Sequence, residues 1–345
     1  MSGADPWRSP LGPGSECDAA TPNAQLMIQS VSSLLHTAAV LAPPSTCGRA
    51  VPRRIFHSRD SEAPVVIDLR PSAEYEAGHL AGSASLPVAS LQRLLYELPP
   101  PGEWPLTLIG AKDELATARD LLQPKGWDAV ELDASDPATW ACDGHVTQLE
   151  EGATSASTLR PNSFLASVLS SVEMPAAPGA AIDLGCGSGR DAVAMALRLG
   201  PAWRVLGLDN HGMALERAAT LARDHATTAE FHDVNMRRPG FSCAELVEGA
   251  PVLLVHGCRF LHRPLLETLP ALLAPGGLFV YSHFVDPDDG PPLAPPFRAG
   301  RRLTRGELRR TLGEAQGFEV LVDEVGEMLT RGLWVAAQFY AARRR

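Results

Sequence analysis

Residues 180–191 read "AAIDLGCGSGRD", a short apolar run followed by closely spaced glycines. An apolar run that ends in a polar residue, here Asp183, is typical of a parallel strand buried on both faces. Gly185, Gly187 and Gly189 have the spacing G-x-G-x-G, which differs from the G-x-G-x-x-G fingerprint of dinucleotide-binding folds. Glycines allow the backbone to approach a ligand closely at the start of a helix. The stretch therefore predicts a strand, a ligand-binding loop and a helix.

Downstream, the same alternation of strand and helix patterns continues. Further strand patterns are "WRVLGLD" (203–209), "TAEFHDVN" (228–235), "APVLLVHG" (250–257), "GGLFVYSHF" (276–284), "FEVLVDEVG" (318–326) and "LWVAAQFYAA" (333–342). The first five strands, counted from the glycine stretch, alternate with helical segments, and the last two follow each other directly. This order predicts a Rossmann-like, doubly wound α/β sheet that ends in an antiparallel strand pair.

Acidic residues follow the next two strands after the glycine loop. Asp209 ends the second strand, where a carboxylate can accept hydrogen bonds from both hydroxyls of a ribose. Asp233 follows the third strand, beside Val234, and is placed to meet an adenine amino group. Because parallel strands end at one edge of a sheet, these residues and the glycine loop are expected to form one nucleoside site. A dehydrogenase and a non-catalytic Rossmann domain are the alternatives.

Over roughly residues 163–345, the sequence resembles class I S-adenosylmethionine (SAM)-dependent methyltransferases. The resemblance lies in the order of "DLGCGSGRD", "GLD", "HDVN" and "LLAPGGLFVYSHF". It implies SAM as the cofactor and no bound metal. The cofactor-binding residues that it implies are Asp183, Gly185, Gly187, Gly189, Asp209, Asp233, Val234 and His256.

"DLGCGSGRDAVAMA" (183–196) and the segment 295–328 are most similar to the tellurite-resistance and thiopurine S-methyltransferase branch. This similarity implies a small soft nucleophile as acceptor: a thiol or a selenium or tellurium species. The chain departs from the branch after "GE", where it supplies Arg331 but no histidine.

The catalytic candidates are His256, Arg259 and Arg331. His256 follows the fourth strand and is predicted to contact the donor or act as a base, the alternative being a hydrogen-bonded loop histidine. Arg259 is predicted to bind an anionic substrate, the alternative being a structural salt bridge. His283, which ends the fifth strand, is a further candidate at the same edge.

An earlier α/β unit begins with "VVIDLRPSAEYEAGHLAGSASLP" (65–87) and continues with the strand pattern "PLTLIG" (105–110). Both stretches resemble a rhodanese-like domain. In that family a cysteine carries sulfane sulfur, and its place is held here by Gly110, or by Ile109 if the alignment slips by one. Because Asp113 and Glu114 would repel an anion, the domain is predicted to lack sulfur transfer and to serve architecture or regulation.

Length and composition predict about two domains in 345 residues. We expect a flexible tail (1–60), an inactive rhodanese-like domain (61–146), a linker (147–162) and a methyltransferase domain (163–345). The six cysteines have no disulfide or metal-ligand spacing, which indicates a reducing compartment and predicts a cytoplasmic location, with organelle import left open. The sequence contains no run of 18 or more apolar residues, so it predicts no membrane span.

The net charge of −10 argues against DNA as a partner. The leading hypothesis is therefore methyl transfer to a small molecule. Methylation of a protein or RNA is the second hypothesis, since arginines cluster at 298–310, and a non-catalytic scaffold is the third. The sequence gives no prediction of whether the protein is a monomer or an oligomer.

Overall fold

The computed structural model describes residues 64–134, 149–287, 299–330 and 332–345. The tail predicted for residues 1–60, and residues 135–148 of the predicted N-terminal domain and linker, lie outside these ranges. The strands are β1 Val65–Asp68, β2 His79–Leu80, β3 Ala84–Ser85, β4 Leu106–Gly110, β5 Ala129–Asp133, β6 Leu149–Glu150, β7 Ala180–Leu184, β8 Arg204–Asp209, β9 Glu230–Asp233, β10 Val252–Cys258, β11 Leu273–Phe284, β12 Phe318–Thr330 and β13 Leu333–Arg344. The helices are α1 Ser72–Ala77, α2 Val88–Leu91, α3 Lys112–Leu122, α4 Ser163–Ser171, α5 Arg190–Leu199, α6 Gly212–Asp224, α7 Arg263–Leu266, α8 Leu269–Leu272 and α9 Glu307–Leu312.

The C-terminal sheet has seven strands in the order β12-β13-β11-β10-β7-β8-β9. The five strands from β11 to β9 are parallel, and β13 and β12 add an antiparallel pair at one edge. The predicted doubly wound sheet with a C-terminal antiparallel pair is thus confirmed. The strand order reverses between β7 and β10, and ligands of such sheets bind outside the carboxyl ends of the strands at this point.

Side chains of the central strands alternate between two apolar layers, as the period of two in a strand requires. On β11, Phe279 and Tyr281 pack in one layer, whereas Leu278 and Val280 pack in the other. Every residue of β7 is buried. Burial of each large apolar side chain contributes about 1.5–3 kcal/mol, so the two layers hold the strand ends in fixed positions.

The N-terminal sheet has four parallel strands in the order β3-β1-β4-β5, which agrees with the strand and helix patterns of this region. Its core includes Ile67, Leu69 and Leu108. The Arg70 guanidinium donates to the buried Asp68 carboxylate, with Nη2–Oδ2 at 2.6 Å. Because removal of one partner of a buried ion pair would leave an uncompensated charge, each of the two residues requires the other.

The described part of the predicted linker is bonded to the N-terminal unit. Strand β6 pairs antiparallel with β2, and the Tyr75 hydroxyl donates to the Thr154 carbonyl at 2.8 Å. The Trp104 indole donates to the Pro161 carbonyl at 2.9 Å. All described residues belong to one compact unit. Within them, no helix combines the length and the apolar character that crossing a membrane requires.

Candidate functional site

The glycine loop joins β7 to α5 at the reversal point of the sheet. Gly185, Gly187 and Gly189 have φ angles of 73°, 54° and 80°, a region that residues with a Cβ rarely adopt. A Cβ on Gly189 would lie 2.6 Å from the Cβ of Ala218, and one on Gly185 would lie 2.8 Å from the Cβ of Phe260. A Cβ on Gly187 would meet no described atom within 4 Å beyond its chain neighbours. The outer two glycines therefore allow close packing, and the middle one leaves its backbone open to a ligand.

Asp183, the last polar residue before the loop, pairs with His256 on the neighbouring strand β10. The two residues are register partners, and the imidazole Nδ1 lies 2.8 Å from the Asp183 Oδ1. Their exposed fractions are 2% and 1%. Burial raises the pKa of the Asp183 carboxyl. Burial alone would lower the pKa of His256, but Asp183, with smaller contributions from Asp191 and Glu103, outweighs it and raises that pKa.

The second oxygen of Asp183, Oδ2, is buried and has no hydrogen-bond partner among the described residues. Unpaired buried carboxylate oxygens are costly and mark a place for a missing donor. A ligand ammonium group would supply that donor. One oxygen of Asp183, one of Asp191 and one nitrogen of His256 lie within 4.8 Å of one another, so two carboxylates face the same small volume. The cluster suits a cationic group.

Asp209 lies at the carboxyl end of β8, on the other side of the glycine loop. Its Oδ2 accepts from the Gly187 N–H at 2.8 Å, and its Oδ1 accepts from the N–H groups of Asn210 and His211 at 2.7 and 3.1 Å. A carboxylate offers about four lone-pair sites, so about one remains for a hydroxyl. The predicted bidentate ribose contact would therefore require one backbone donor to shift.

Asp233 and Val234 lie at the same edge, where β9 ends beside β8. Asp233 is exposed and is the register partner of Asp209. Val234 is half-buried, and its N–H donates to the Asp209 carbonyl at 2.8 Å. The structure thus brings the predicted adenine contact, Asp233, and the predicted cofactor-binding residue Val234 next to the predicted ribose contact.

Arg259 follows β10 with a φ of 59°, which is unusual for a residue with a side chain. Its N–H donates to the Ser282 carbonyl at 2.9 Å, which holds this strained conformation. Such strain is frequent at functional sites, where surrounding hydrogen bonds maintain it.

The further candidate His283 is buried, and its Nε2–H donates to the Arg301 carbonyl at 3.0 Å. The third catalytic candidate, Arg331, lies outside the described residues.

Three further charged residues surround the site, and the sequence analysis missed them. Arg190 and Asp191 directly follow the last glycine, so their position in the quoted stretch could have identified them. Glu103 is buried at 8% exposure, in the loop before β4 of the N-terminal sheet. Its carboxylate accepts from the Asn162 side chain and the Ser163 N–H at 3.0 and 2.8 Å. The loop that carries it has no pattern that points to the glycine loop.

Residues 179–294 match the family model of a methyltransferase domain. A search of the curated proteins found no match. Similar solved structures include TehB from Haemophilus influenzae, at 18% identity and a TM-score of 0.39, over 49% of this chain and 59% of that one. They also include YcgJ from Bacillus subtilis, at 13% identity and a TM-score of 0.38, over 53% of this chain and 98% of that one. A third is magnesium protoporphyrin IX methyltransferase (ChlM) from Synechocystis PCC 6803 with bound SAH, at 16% identity and a TM-score of 0.34, over 49% of this chain and 76% of that one.

This chain spans less than two thirds of the TehB structure's own length. The family match places the glycine loop, Asp209 and His256 inside the matched residues. The chain therefore carries a methyltransferase domain, for which the methyl donor is SAM. The open glycine backbone and the unpaired oxygen of Asp183 fit that donor, which bears an ammonium group and a ribose.

Proposed function

We propose that the protein transfers a methyl group from SAM to a small-molecule acceptor that is a soft nucleophile, such as a thiol or a selenium or tellurium species. The observation that carries the proposal is the unpaired, buried Asp183 oxygen beside an open glycine backbone, at the reversal point of the sheet. This arrangement offers an anionic partner to the donor's ammonium group and backbone space to its methionine part. When bound, SAM supplies an electrophilic methyl group on a positively charged sulfur.

In this proposal each residue of the site has one task toward the donor. Asp183 accepts a hydrogen bond from the ammonium group, and its bond to His256 holds the carboxylate in place. Asp209 accepts from a ribose hydroxyl, and Asp233 with Val234 contacts the adenine. The glycines and the first turn of α5 face the carboxylate of the donor, since helix N-termini favour anions.

A soft nucleophile as acceptor agrees with the bonding of His256. The Nδ1 of His256 bonds Asp183, and in this proposal that bond orients the Asp183 carboxylate. A thiol or a chalcogen oxyanion that is already ionised needs alignment with the methyl group more than it needs a base. Arg259 and Arg331 are proposed to attract such an anionic acceptor.

Two arginines of the arginine-rich segment are already paired with carboxylates, which weakens the argument for RNA as the substrate. In the described part of that segment, Arg302 lies 2.6 Å from Asp286, and Arg309 lies 2.6 Å from Glu314. Arginines that are already paired with carboxylates contribute little to phosphate binding, because the ion pairs would have to break.

We further propose that the N-terminal sheet belongs to a rhodanese-like domain (61–146) without sulfurtransferase activity, followed by a linker (147–162) and the methyltransferase domain (163–345). A Cβ on Gly110 would lie 3.1 Å from Oε2 of Glu114, which itself accepts from the Ala111 N–H at 2.8 Å. A persulfide at this position would therefore face a carboxylate instead of free N–H donors.

The test is methyl transfer from SAM to a panel of small thiols, thiopurines, selenite and tellurite, followed by mass spectrometry. Total RNA and cell protein are assayed in parallel. The proposal expects a methylated small chalcogen compound. Methylation of RNA or protein alone would overturn the acceptor class and favour a macromolecular substrate.

A further inference from the structure

One loop of the N-terminal sheet, residues 99–104, reaches the methyltransferase site. It precedes β4 and carries Glu103, whose carboxylate is buried between the side chain of Asn162 and the N–H of Ser163. Trp104 donates to the Pro161 carbonyl and anchors the same loop. Side-chain hydrogen bonds of Glu103 and Trp104 thus join the N-terminal sheet to residues 161–163 at the start of α4.

Asn162 passes this contact on to the glycine loop. Its N–H donates to Oδ1 of Asp191 at 2.6 Å, and Asp191 lies in the first turn of α5, directly after the glycines. The side-chain Oδ1 of Asn162 accepts from the Leu165 N–H at 3.2 Å and caps α4. A single residue therefore connects Glu103 to the helix that begins at the glycine loop.

Glu103 also interacts electrostatically with the cations of the site. Burial raises the pKa of Glu103, while the Ser163 N–H and the Arg259 guanidinium act in the opposite direction. Burial lowers the pKa of Arg190, whereas Asp191 and Glu103 raise it. The negative charge of Glu103 therefore acts in the same direction as that of Asp191 on the pKa of Arg190.

A second contact joins Arg190 to the N-terminal unit. Its Nη2 donates to the Tyr96 carbonyl at 3.4 Å. Since Arg190 is the first residue of α5, this contact also reaches the end of the glycine loop.

The other side of the 99–104 loop packs against the C-terminal hairpin. A Cβ on Gly102, which has a φ of 74°, would lie 2.8 Å from Leu329 and 3.3 Å from Trp334. These two residues are on β12 and β13, next to the hairpin turn. The loop is therefore packed between the hairpin and the donor site, which restricts its movement.

We propose that the loop of residues 99–104 is a wall of the methyl-donor site and that Glu103 is a positioning residue, which acts through Asn162 and its hydrogen bond to Asp191. The N-terminal sheet is then part of the enzyme's donor site. This role gives a physical reason for keeping a rhodanese-like sheet without a cysteine. The inference rests on the proposed function.

The test compares Glu103→Gln with the wild-type chain in calorimetric titrations with S-adenosylhomocysteine (SAH), with thermal unfolding as a check of the fold. The substituted glutamine can still accept from the Ser163 N–H, but it removes the negative charge. We expect the dissociation constant of SAH to rise about tenfold with little change in melting temperature. The matched control is Glu76→Gln, at an exposed position of the same sheet unit, which should leave the dissociation constant unchanged.

A double variant separates the charge from the fold. Glu103→Gln combined with Asn162→Asp restores one carboxylate and one amide, and aspartate caps a helix as well as asparagine does. SAH affinity in the double variant should return to within about threefold of the wild type. Unchanged affinity in Glu103→Gln, or no recovery in the double variant, would overturn the positioning role. A wild-type chain that binds neither SAM nor SAH would contradict the proposed function and this inference together.

Discussion

Asp209→Asn tests the ribose side of the donor site, because the carboxylate is already held by three backbone donors. The Oδ1 of the substituted asparagine can still accept from Asn210 and His211, but its amide nitrogen then faces the Gly187 N–H, which donates to Oδ2 at 2.8 Å. One charge-assisted hydrogen bond in the protein is lost, and the bond to the ribose hydroxyl loses its charge. Each such bond contributes about 1.5–3 kcal/mol.

The expected effect on SAH binding is a loss of about 1.5–3 kcal/mol, or roughly 10- to 150-fold in the dissociation constant. Calorimetric titration measures it, and the exposed Glu216→Gln on α6 is the matched control. A dissociation constant for Asp209→Asn within twofold of the wild type, with the control unchanged, would refute the assignment of Asp209 to the ribose.

Three further predictions concern the pH dependence of stability, the glycine loop and the N-terminal sheet. Burial lowers the pKa of His283 to about 4. Its neutral form therefore contributes about 3 kcal/mol to the free energy of unfolding above pH 6.5, and this contribution is lost as the pH falls to 4. Chemical unfolding at both pH values should show that the free energy of unfolding depends less on pH in His283→Gln than in the wild type. An identical pH dependence in the two proteins would contradict this assignment. Gly189→Ala should lower the free energy of unfolding by about 2–4 kcal/mol, since its Cβ would lie 2.6 Å from Ala218 at a positive φ, and an unchanged melting curve would argue against this. Gly110→Cys should release no thiocyanate from thiosulfate and cyanide, because Glu114 opposes a thiolate there; measurable release would show an intact anion site.

The C-terminal fold could be predicted because its strands carry local apolar patterns and its loop carries closely spaced glycines. All three glycines have the positive φ that such a loop requires. The antiparallel pair β12 and β13 was also predictable, since two long strand patterns follow each other with too few residues for a helix between them.

The bond between Asp183 and His256 could not be predicted from local patterns. It depends on β7 and β10 being neighbours, and these strands are separated by two others along the chain. The three backbone hydrogen bonds to Asp209 were equally hidden, because hydrogen bonds of a loop depend on its conformation and not on residue type alone.

Glu103 shows a second kind of limit. Its sequence neighbourhood, "PPPGEWP", is that of a surface turn, yet the side chain is buried against α4. Packing between two sheet units determines this burial, and no periodic pattern within the loop encodes it. The hydrogen bonds of the segment predicted as a linker were hidden for the same reason, since its carbonyl groups accept from Tyr75 and Trp104, which lie far from it in sequence.

The most direct measurement of the central claim is a crystal structure of the full chain with SAH. The account predicts SAH at the carboxyl ends of β7 and β8, with its amino group at about 3 Å from Oδ2 of Asp183 and a ribose hydroxyl at the same distance from Asp209. SAH bound elsewhere, or an Asp183 oxygen that stays unpaired beside the bound molecule, would contradict it.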